Sequence, residues 1–229
     1  MSGSLPPEGL RTLSSPPEGA TRLVLVRHGQ GEVNVSGVIG GTEGCTGLSD
    51  LGRSQVTAMA GRLHRTGELA DVDAVVASVL PRAIETATIL CAGLGVDPST
   101  MELDCELCEL HPGEADGLVW EDYVARFDAP DWDIDPSLPL SPGGESWLSF
   151  VDRVSLGLDA LVGRHQGEVV VVGTHAGVIE ASIITKLLGS APGGLHPRLR
   201  LRTAHASLTE WEVADGRWLL RRYNDALAD

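Results

Sequence analysis

Positive charge is what this chain has least of. Its 17 lysines and arginines face 32 aspartates and glutamates, for a formal net charge of −15 and a pI near 4.7. Nucleic acid and anionic membrane surfaces both call for a basic face, so neither is expected as a partner. An anionic substrate would have to be drawn in by a local group of arginines. Long apolar runs are missing too, and no segment reaches the ~20 residues of a membrane-spanning helix. Residues 1–20 carry no basic start, apolar stretch or small-residue cleavage site of a secretory signal. A cytoplasmic location is the expectation. Cysteine is sparse: Cys45 and Cys91 are isolated, and Cys105 and Cys108 form a single CxxC. Zinc would call for a second ligand pair at similar spacing, and only His111 lies close, so the thiols read as reduced and structural, with no metal.

What remains, in 229 residues, is enough for one sizeable α/β domain. Residues 1–20 repeat PPEG in a Pro/Ser/Gly setting and read as a flexible tail, since they cannot bury enough surface to offset their ordering entropy. The domain is expected over residues 21–225. Leu23–Val26 is short, apolar and rich in branched side chains, the pattern of a strand buried on both faces in a parallel sheet. It stops abruptly at Arg27, His28 and Gly29. Open α/β sheets bind ligands outside the carboxyl ends of their strands, so this is where an anion site with a histidine inside it is expected.

The same punctuation recurs. A glycine-rich loop, residues 37–47, leads to Ser49 or Asp50, an N-cap for a helix carrying Val56, Met59, Ala60 and Leu63 and ending at Gly67. A second buried strand, Asp73–Ser78, runs into Pro81 and Arg82 at a helix start. Arginine is badly placed there for the helix dipole, and a bound anion would resolve the conflict. Met101–Leu107 reads as a third extended segment. From His111 to Pro142 the periodicity fails, with Trp120, Tyr123, Phe127 and Trp132 spaced through an acidic, proline-rich stretch. That length suggests a lid-like insertion over residues 111–142, with one short helix at Trp120–Phe127. A helix follows to about Arg164, then a strand Glu168–Gly173 ending in Thr174-His175-Ala176-Gly177, then an apolar helix Val178–Leu188. Ser207–Val213 and Arg217–Tyr223 close the chain as a hairpin.

Two strands thus end in a histidine, one ends before Arg82, and Glu109 lies in a carboxylate-bearing segment. In order, VRHGQGEVN, LSDLGRSQ, SVLPRAIETA, LCELHPGEADG, GGES and GTHAG resemble the histidine phosphatase superfamily, the phosphoglycerate mutase-like fold, over nearly all of Thr21–Tyr223. The resemblance implies a three-layer α/β/α domain with a mostly parallel central sheet and flanking helices. It also implies that His28 is the nucleophile, that Arg27, Arg82 and His175 hold the phosphoryl group with a hydrogen bond from Asn34, and that Glu109 donates the leaving-group proton. Arg53 and Glu85 would brace the scaffold. Arginine forks suit phosphate oxygens and lower the barrier electrostatically, so no cofactor is expected.

The chain departs from the family pattern at Ala115-Asp116-Gly117, in the loop at residues 40–47, and at His205-Ala206-Ser207, where an Asn-x-Ser is frequent. His205 could line the pocket or replace a structural amide. Few cations lie between Glu109 and His175, which favours hydrolysis of a small phosphomonoester over a mutase's bisphosphate chemistry. The mutase reading and a non-catalytic phosphate-binding protein stay open at this stage, as do monomer and homodimer. The aromatic side chains of the insertion would favour an apolar or ring-bearing substrate.

Overall fold

The structure, a computed structural model, describes residues 17–187 and 201–227. Six strands form one sheet: β1 (Thr21–Arg27), β2 (Ala74–Ala77), β3 (Glu102–Leu103), β4 (Val169–Thr174), β5 (Leu208–Ala214) and β6 (Arg217–Asp225). Among the described residues six α-helices accompany them: α1 (Glu32–Ser36), α2 (Asp50–Thr66), α3 (Pro81–Leu94), α4 (Trp120–Arg126), α5 (Trp147–Arg164) and α6 (Ala176–Leu187).

The strand order is β3-β2-β4-β1-β5-β6. The first four neighbours pair in parallel, and only β5 runs against the others. This is the mostly parallel sheet that the apolar runs imply, and strand alternation sorts its side chains to two faces. Val24, Val26, Val75, Ala77 and Val171 pack against α2 and α3 through Val56, Met59, Ala87 and Leu90. Leu23, Leu25, Val76, Val170 and Val172 pack on the other side against α5 and α6, through Phe150, Val154, Leu158, Val178 and Ile179. The three-layer α/β/α expectation holds. Truncating a fully buried anchor of this kind, such as Leu158→Ala, costs roughly 2–5 kcal/mol.

Local chemistry sets the helix ends. Ser49 accepts from Gly52 N–H at 3.1 Å to cap α2, and Ser146 accepts from Ser149 N–H at 3.1 Å to cap α5. Gly67 closes α2 in the left-handed conformation, at φ +65°.

Residues 1–16 of the expected tail lie outside the described residues; Ala20, which is buried, donates its N–H to Pro17 O at 3.1 Å just before β1. Two expectations are corrected. The third extended segment shrinks to β3, because Asp104 accepts from Glu106 N–H at 2.9 Å and winds Cys105–Leu107 into a 3₁₀ turn. The last helix starts at Ala176, directly after His175, and Leu188 lies outside the described residues. Within the insertion, α4 forms as expected, and Tyr123 is buried with its hydroxyl donating to Leu140 O at 2.9 Å.

Candidate active site

Because β1 and β4 are paired in parallel with Arg27 opposite Thr174, the residues that follow each strand emerge together. His28 N–H donates to Thr174 O at 2.9 Å, and the rings of His28 and His175 meet edge to face with centroids 5.2 Å apart. The loop can lie this close to α2 only because residue 29 is glycine. A Cβ on Gly29 would strike the Gly52 carbonyl and come within 2.8 Å of Val56 Cγ2. The next strand along, β2, hands over to α3 through Ser78, and its helix start carries Arg82 inward, 4% exposed.

Arg82 fixes the state of His28. Its Nε donates to His28 Nε2 at 3.2 Å, and its Nη1 donates to Gly40 O at 2.8 Å. A guanidinium can only donate, so His28 Nε2 accepts and the ring proton sits on Nδ1, which donates to Gly29 O at 2.6 Å. Burial, then the Arg82 charge, then Arg27 and His205 against a partly offsetting bond to Gly29 O, hold the His28 pKa well below the usual histidine value. His28 is therefore a neutral imidazole with its Nε2 lone pair facing an arginine. His175 is depressed in the same way, by burial first and then by Arg82 and His28. Its Nε2 lies 2.8 Å from Ser78 Oγ.

Arg27 donates from Nη1 to Thr203 O and from Nη2 to His205 Nε2, the latter at 2.9 Å. His205 thus accepts, and burial beside Arg27 lowers its pKa to about 4. Its ring centroid stands 5.9 Å from that of His28, so His205 lines the site. Among the described residues, Arg27 Nε and His175 Nδ1 are buried without a hydrogen-bond partner. Asn34 is exposed on α1, with its Oδ1 accepting from Gly31 N–H at 2.9 Å. It has its amide NH₂ left to offer a ligand. A Cβ placed on Gly31 would lie 3.3 Å from Arg82 Cδ and 3.4 Å from Asn34 Oδ1, which puts both side chains at one wall.

Glu109 arrives from the far side. Thr174 Oγ1 donates to Leu107 O at 2.9 Å, and Arg153 donates to the carbonyls of Glu106 and Cys108 at 2.8 and 3.2 Å, which together pin the segment to β4 and α5. Glu109 then accepts from Gly177 N–H at 3.1 Å and from Leu110 N–H at 3.3 Å. Residue 177 must be glycine for this, since a Cβ there would collide with the Glu109 carboxylate. The sequence-derived set of Arg27, His28, Arg82, Glu109 and His175 is thus gathered at the carboxyl ends of β1, β2 and β4. Arg53 bonds Glu85 at 2.6 Å, and Glu85 accepts from Leu48 N–H at 2.8 Å, a bracing role as expected.

Sequence reasoning missed Asp116. Its carboxylate accepts from the N–H groups of Gly41, Glu43 and Gly44 at 2.8–2.9 Å, tying down the loop whose Gly40 carbonyl receives Arg82. The signal available was a carboxylate at a family departure opposite a glycine-rich loop with free amides. Beside Glu109 opens a cleft of about 560 Å³ whose acids are Glu43, Glu109, Glu114 and Asp116. None of Trp120, Tyr123, Phe127 or Trp132 lines it. They pack on one another and on Trp147 instead, with ring centroids 5.1–5.9 Å apart, so the expected aromatic wall is not found in this cleft. Among the described residues, Cys105, Cys108 and His111 could hold a metal ion, their ligand atoms all lying within 4.8 Å of one another behind Glu109.

The chain matches the family model for the histidine phosphatase superfamily (branch 1) over residues 23–226. It is 35% identical over 208 residues to a bifunctional protein of Mycobacterium tuberculosis, a match covering 89% of this chain and 54% of that protein, so the chain spans about half the length of such mycobacterial relatives. A metal-independent phosphoserine phosphatase of Arabidopsis thaliana is 31% identical over 213 residues, covering 90% of this chain and 82% of the relative. Among solved structures, a mycobacterial glucosyl-3-phosphoglycerate phosphatase in complex with VO3 superposes with a TM-score of 0.71 at 29% identity, over 90% of this chain and 99% of that one. No described helix is long and apolar enough to cross a membrane. Fold, gathered side chains and these matches together establish that the chain belongs to the histidine phosphatase superfamily.

Proposed function

We propose that this protein is a metal-independent hydrolase of small phosphomonoesters that works through a phosphohistidine on His28. The hydrogen bond from Arg82 Nε to His28 Nε2 supports this reading most, because it holds a neutral imidazole with its lone pair turned toward a phosphate-binding cation. In the first step His28 Nε2 forms a bond to phosphorus as the ester P–O bond breaks, and Glu109 gives its proton to the departing oxygen. In the second, Glu109 takes a proton from water, whose oxygen attacks phosphorus as the P–N bond breaks, and inorganic phosphate leaves.

Arg27, Arg82, His175 and the Asn34 amide would hold the three equatorial oxygens, lowering the barrier by fixed positive charge around the transferring group. The unpaired Arg27 Nε fits that role, since a buried donor without a partner is costly and a phosphate oxygen would satisfy it, and His175 would join it by taking up a proton at Nδ1 as the dianion binds, its Nε2–H staying on Ser78 Oγ.

The leaving group would occupy the acidic cleft beside Glu109. Glu43 and Asp116, with Glu114 offset by its ion pair to Arg126, disfavour a second phosphate there, which favours hydrolysis over mutase chemistry. They suit a leaving group bearing hydroxyls or an ammonium. The similarity to proteins named for phosphoserine and glucosyl-3-phosphoglycerate points the same way. The test is phosphate release from a panel of monoesters, including O-phosphoserine, a sugar phosphate, 3-phosphoglycerate and an aryl phosphate, with and without a metal chelator. Chelator-resistant release that disappears in His28→Ala supports the reading. Isomerisation of phosphoglycerate without release, or binding without turnover of any ester, would refute it.

A further inference from the structure

The phosphoryl chemistry leaves Cys105, Cys108 and His111 unused, yet they converge. The 3₁₀ turn at Cys105–Leu107 sets Cys108 Sγ 3.5 Å from Cys105 Sγ, and His111 Nε2 stands 3.7 Å from Cys105 Sγ. A tetrahedral Zn²⁺ with Zn–S of about 2.3 Å and Zn–N of about 2.0–2.1 Å spaces its ligands roughly 3.8 Å for two sulfurs and roughly 3.6 Å for sulfur and nitrogen. Both edges lie within about 0.3 Å of those spacings. A paired CxxC alone would account for the sulfur–sulfur edge but not for the imidazole.

The surroundings complete the pattern of a metal site. Glu145 Oε2 accepts from the His111 backbone N–H at 2.9 Å and lies 3.6 Å from the ring Nδ1, so the carboxylate fixes the chain at His111 and stands near the nitrogen that faces away from the sulfurs. Glu145 is itself locked by Arg153, at 2.7 and 2.8 Å. The same guanidinium donates to the Cys108 carbonyl. Ser78 Oγ donates to Cys108 Sγ at 3.3 Å. Cys108 is buried while Cys105 is exposed, so an ion would have both a dry inner wall and a way in.

We propose that Cys105, Cys108 and His111 form a three-ligand site for a thiophilic divalent cation, of the Zn²⁺ type, with water as the fourth ligand. On loading, the two thiols release their protons to solvent, the imidazole binds neutral, and no oxidation state changes. The site is distinct from the phosphoryl centre but adjoins it. Cys108 precedes Glu109 directly, and Ser78 also reaches His175.

The test uses the full chain, stripped with a chelator, kept reduced with a non-chelating phosphine and titrated with Co²⁺. The expected result is saturation at one equivalent, with a thiolate-to-cobalt charge-transfer band and the intense visible bands of a tetrahedral ion, both erased by Zn²⁺. Cys105→Ser and His111→Ala alter solvent-accessible positions, and their folding is checked by circular dichroism. Each is expected to weaken binding by more than the 10- to 100-fold, roughly, that loss of an outer partner costs. No saturable band in the native chain would overturn the proposal. So would a band that survives unchanged in both variants, since the ion would then be held elsewhere, for instance by Cys45 or Cys91.

Discussion

Arg82 Nε donates to His28 Nε2 across 3.2 Å, with both side chains buried at the meeting point of β1 and α3. One contact settles three properties of the imidazole: its tautomer, its orientation and, with burial, its neutrality. The second arm of the guanidinium, on Gly40 O, makes the geometry two-pointed. Arg82→Lys keeps a charge but cannot span both partners, and kcat/KM should fall by about 10²–10³-fold, the scale for losing one preorganised donor. Steady-state kinetics beside circular dichroism checks this. A variant within twofold of native would contradict the role.

Glu109 should matter in proportion to how badly the leaving group needs a proton. Glu109→Gln is expected to slow an alkyl phosphate by about 10²–10⁴-fold and an aryl phosphate far less. Equal losses on both would remove Glu109 from the acid role.

Gly177 gives an independent route to the same group. Gly177→Ala places a methyl where the Glu109 carboxylate now lies, 3.0 Å from its Cδ and 3.1 Å from Phe150 Cζ. The fold should survive, as α6 favours alanine over glycine. The selective loss on alkyl phosphates should follow that of Glu109→Gln.

Asp116→Ala removes the acceptor for the amides of Gly41, Glu43 and Gly44. The loop would then loosen around Arg82 without touching the reacting atoms, and kcat/KM should drop by roughly 10-fold or more, as for an outer-shell group that orients a working one. Asp116→Asn keeps an acceptor oxygen and should recover part of the loss. Equal activity in the native and alanine forms would show that the loop needs no such tie.

The buried histidines also link stability to acidity. His28 and His175 have folded pKa values well below 6.5, while the unfolded chain titrates near 6.5. Above that pH both states are neutral and no penalty applies. Below it the unfolded chain takes up protons that the folded one refuses, so stability falls with pH by up to about 1.4 kcal/mol per pH unit for each histidine. Glu145 and Asp225, held low by Arg153 and Arg62 against burial, add their losses only in the more acidic carboxylate range. Melting temperatures taken between about pH 7.5 and 5.5 should therefore decline, and His175→Asn should flatten the slope. A flat native profile would mean these imidazoles charge freely in the fold.

Much of the centre was legible because its chemistry sits where regular structure stops. Val26-Arg27-His28, Ser78 to Arg82 and Thr174-His175 each follow a short apolar run, and an arginine at a helix start stands out against the dipole. The parallel sheet followed from branched runs too short for helices. What sequence could not show depends on tertiary meeting. Asp116 faces its glycine loop across more than 70 residues, and Ser78 becomes a bridge only once β2 places it between His175 and Cys108. The aromatic residues of the insertion read as a substrate wall, yet their rings pack on one another and on Trp147, with only Tyr123 fully buried. Asp104 bent the third extended segment through a side-chain cap that competes locally with strand pairing.

The most direct test of the account is to trap the intermediate. Native protein mixed with a phosphomonoester labelled on its phosphorus, quenched in alkaline denaturant within the first turnovers, should carry a base-stable, acid-labile phosphoryl group that peptide mapping places on His28. The label should decay at the rate of phosphate release and be absent from His28→Ala. A native enzyme that turns over without such a label, or that carries it on another residue, would contradict the central claim.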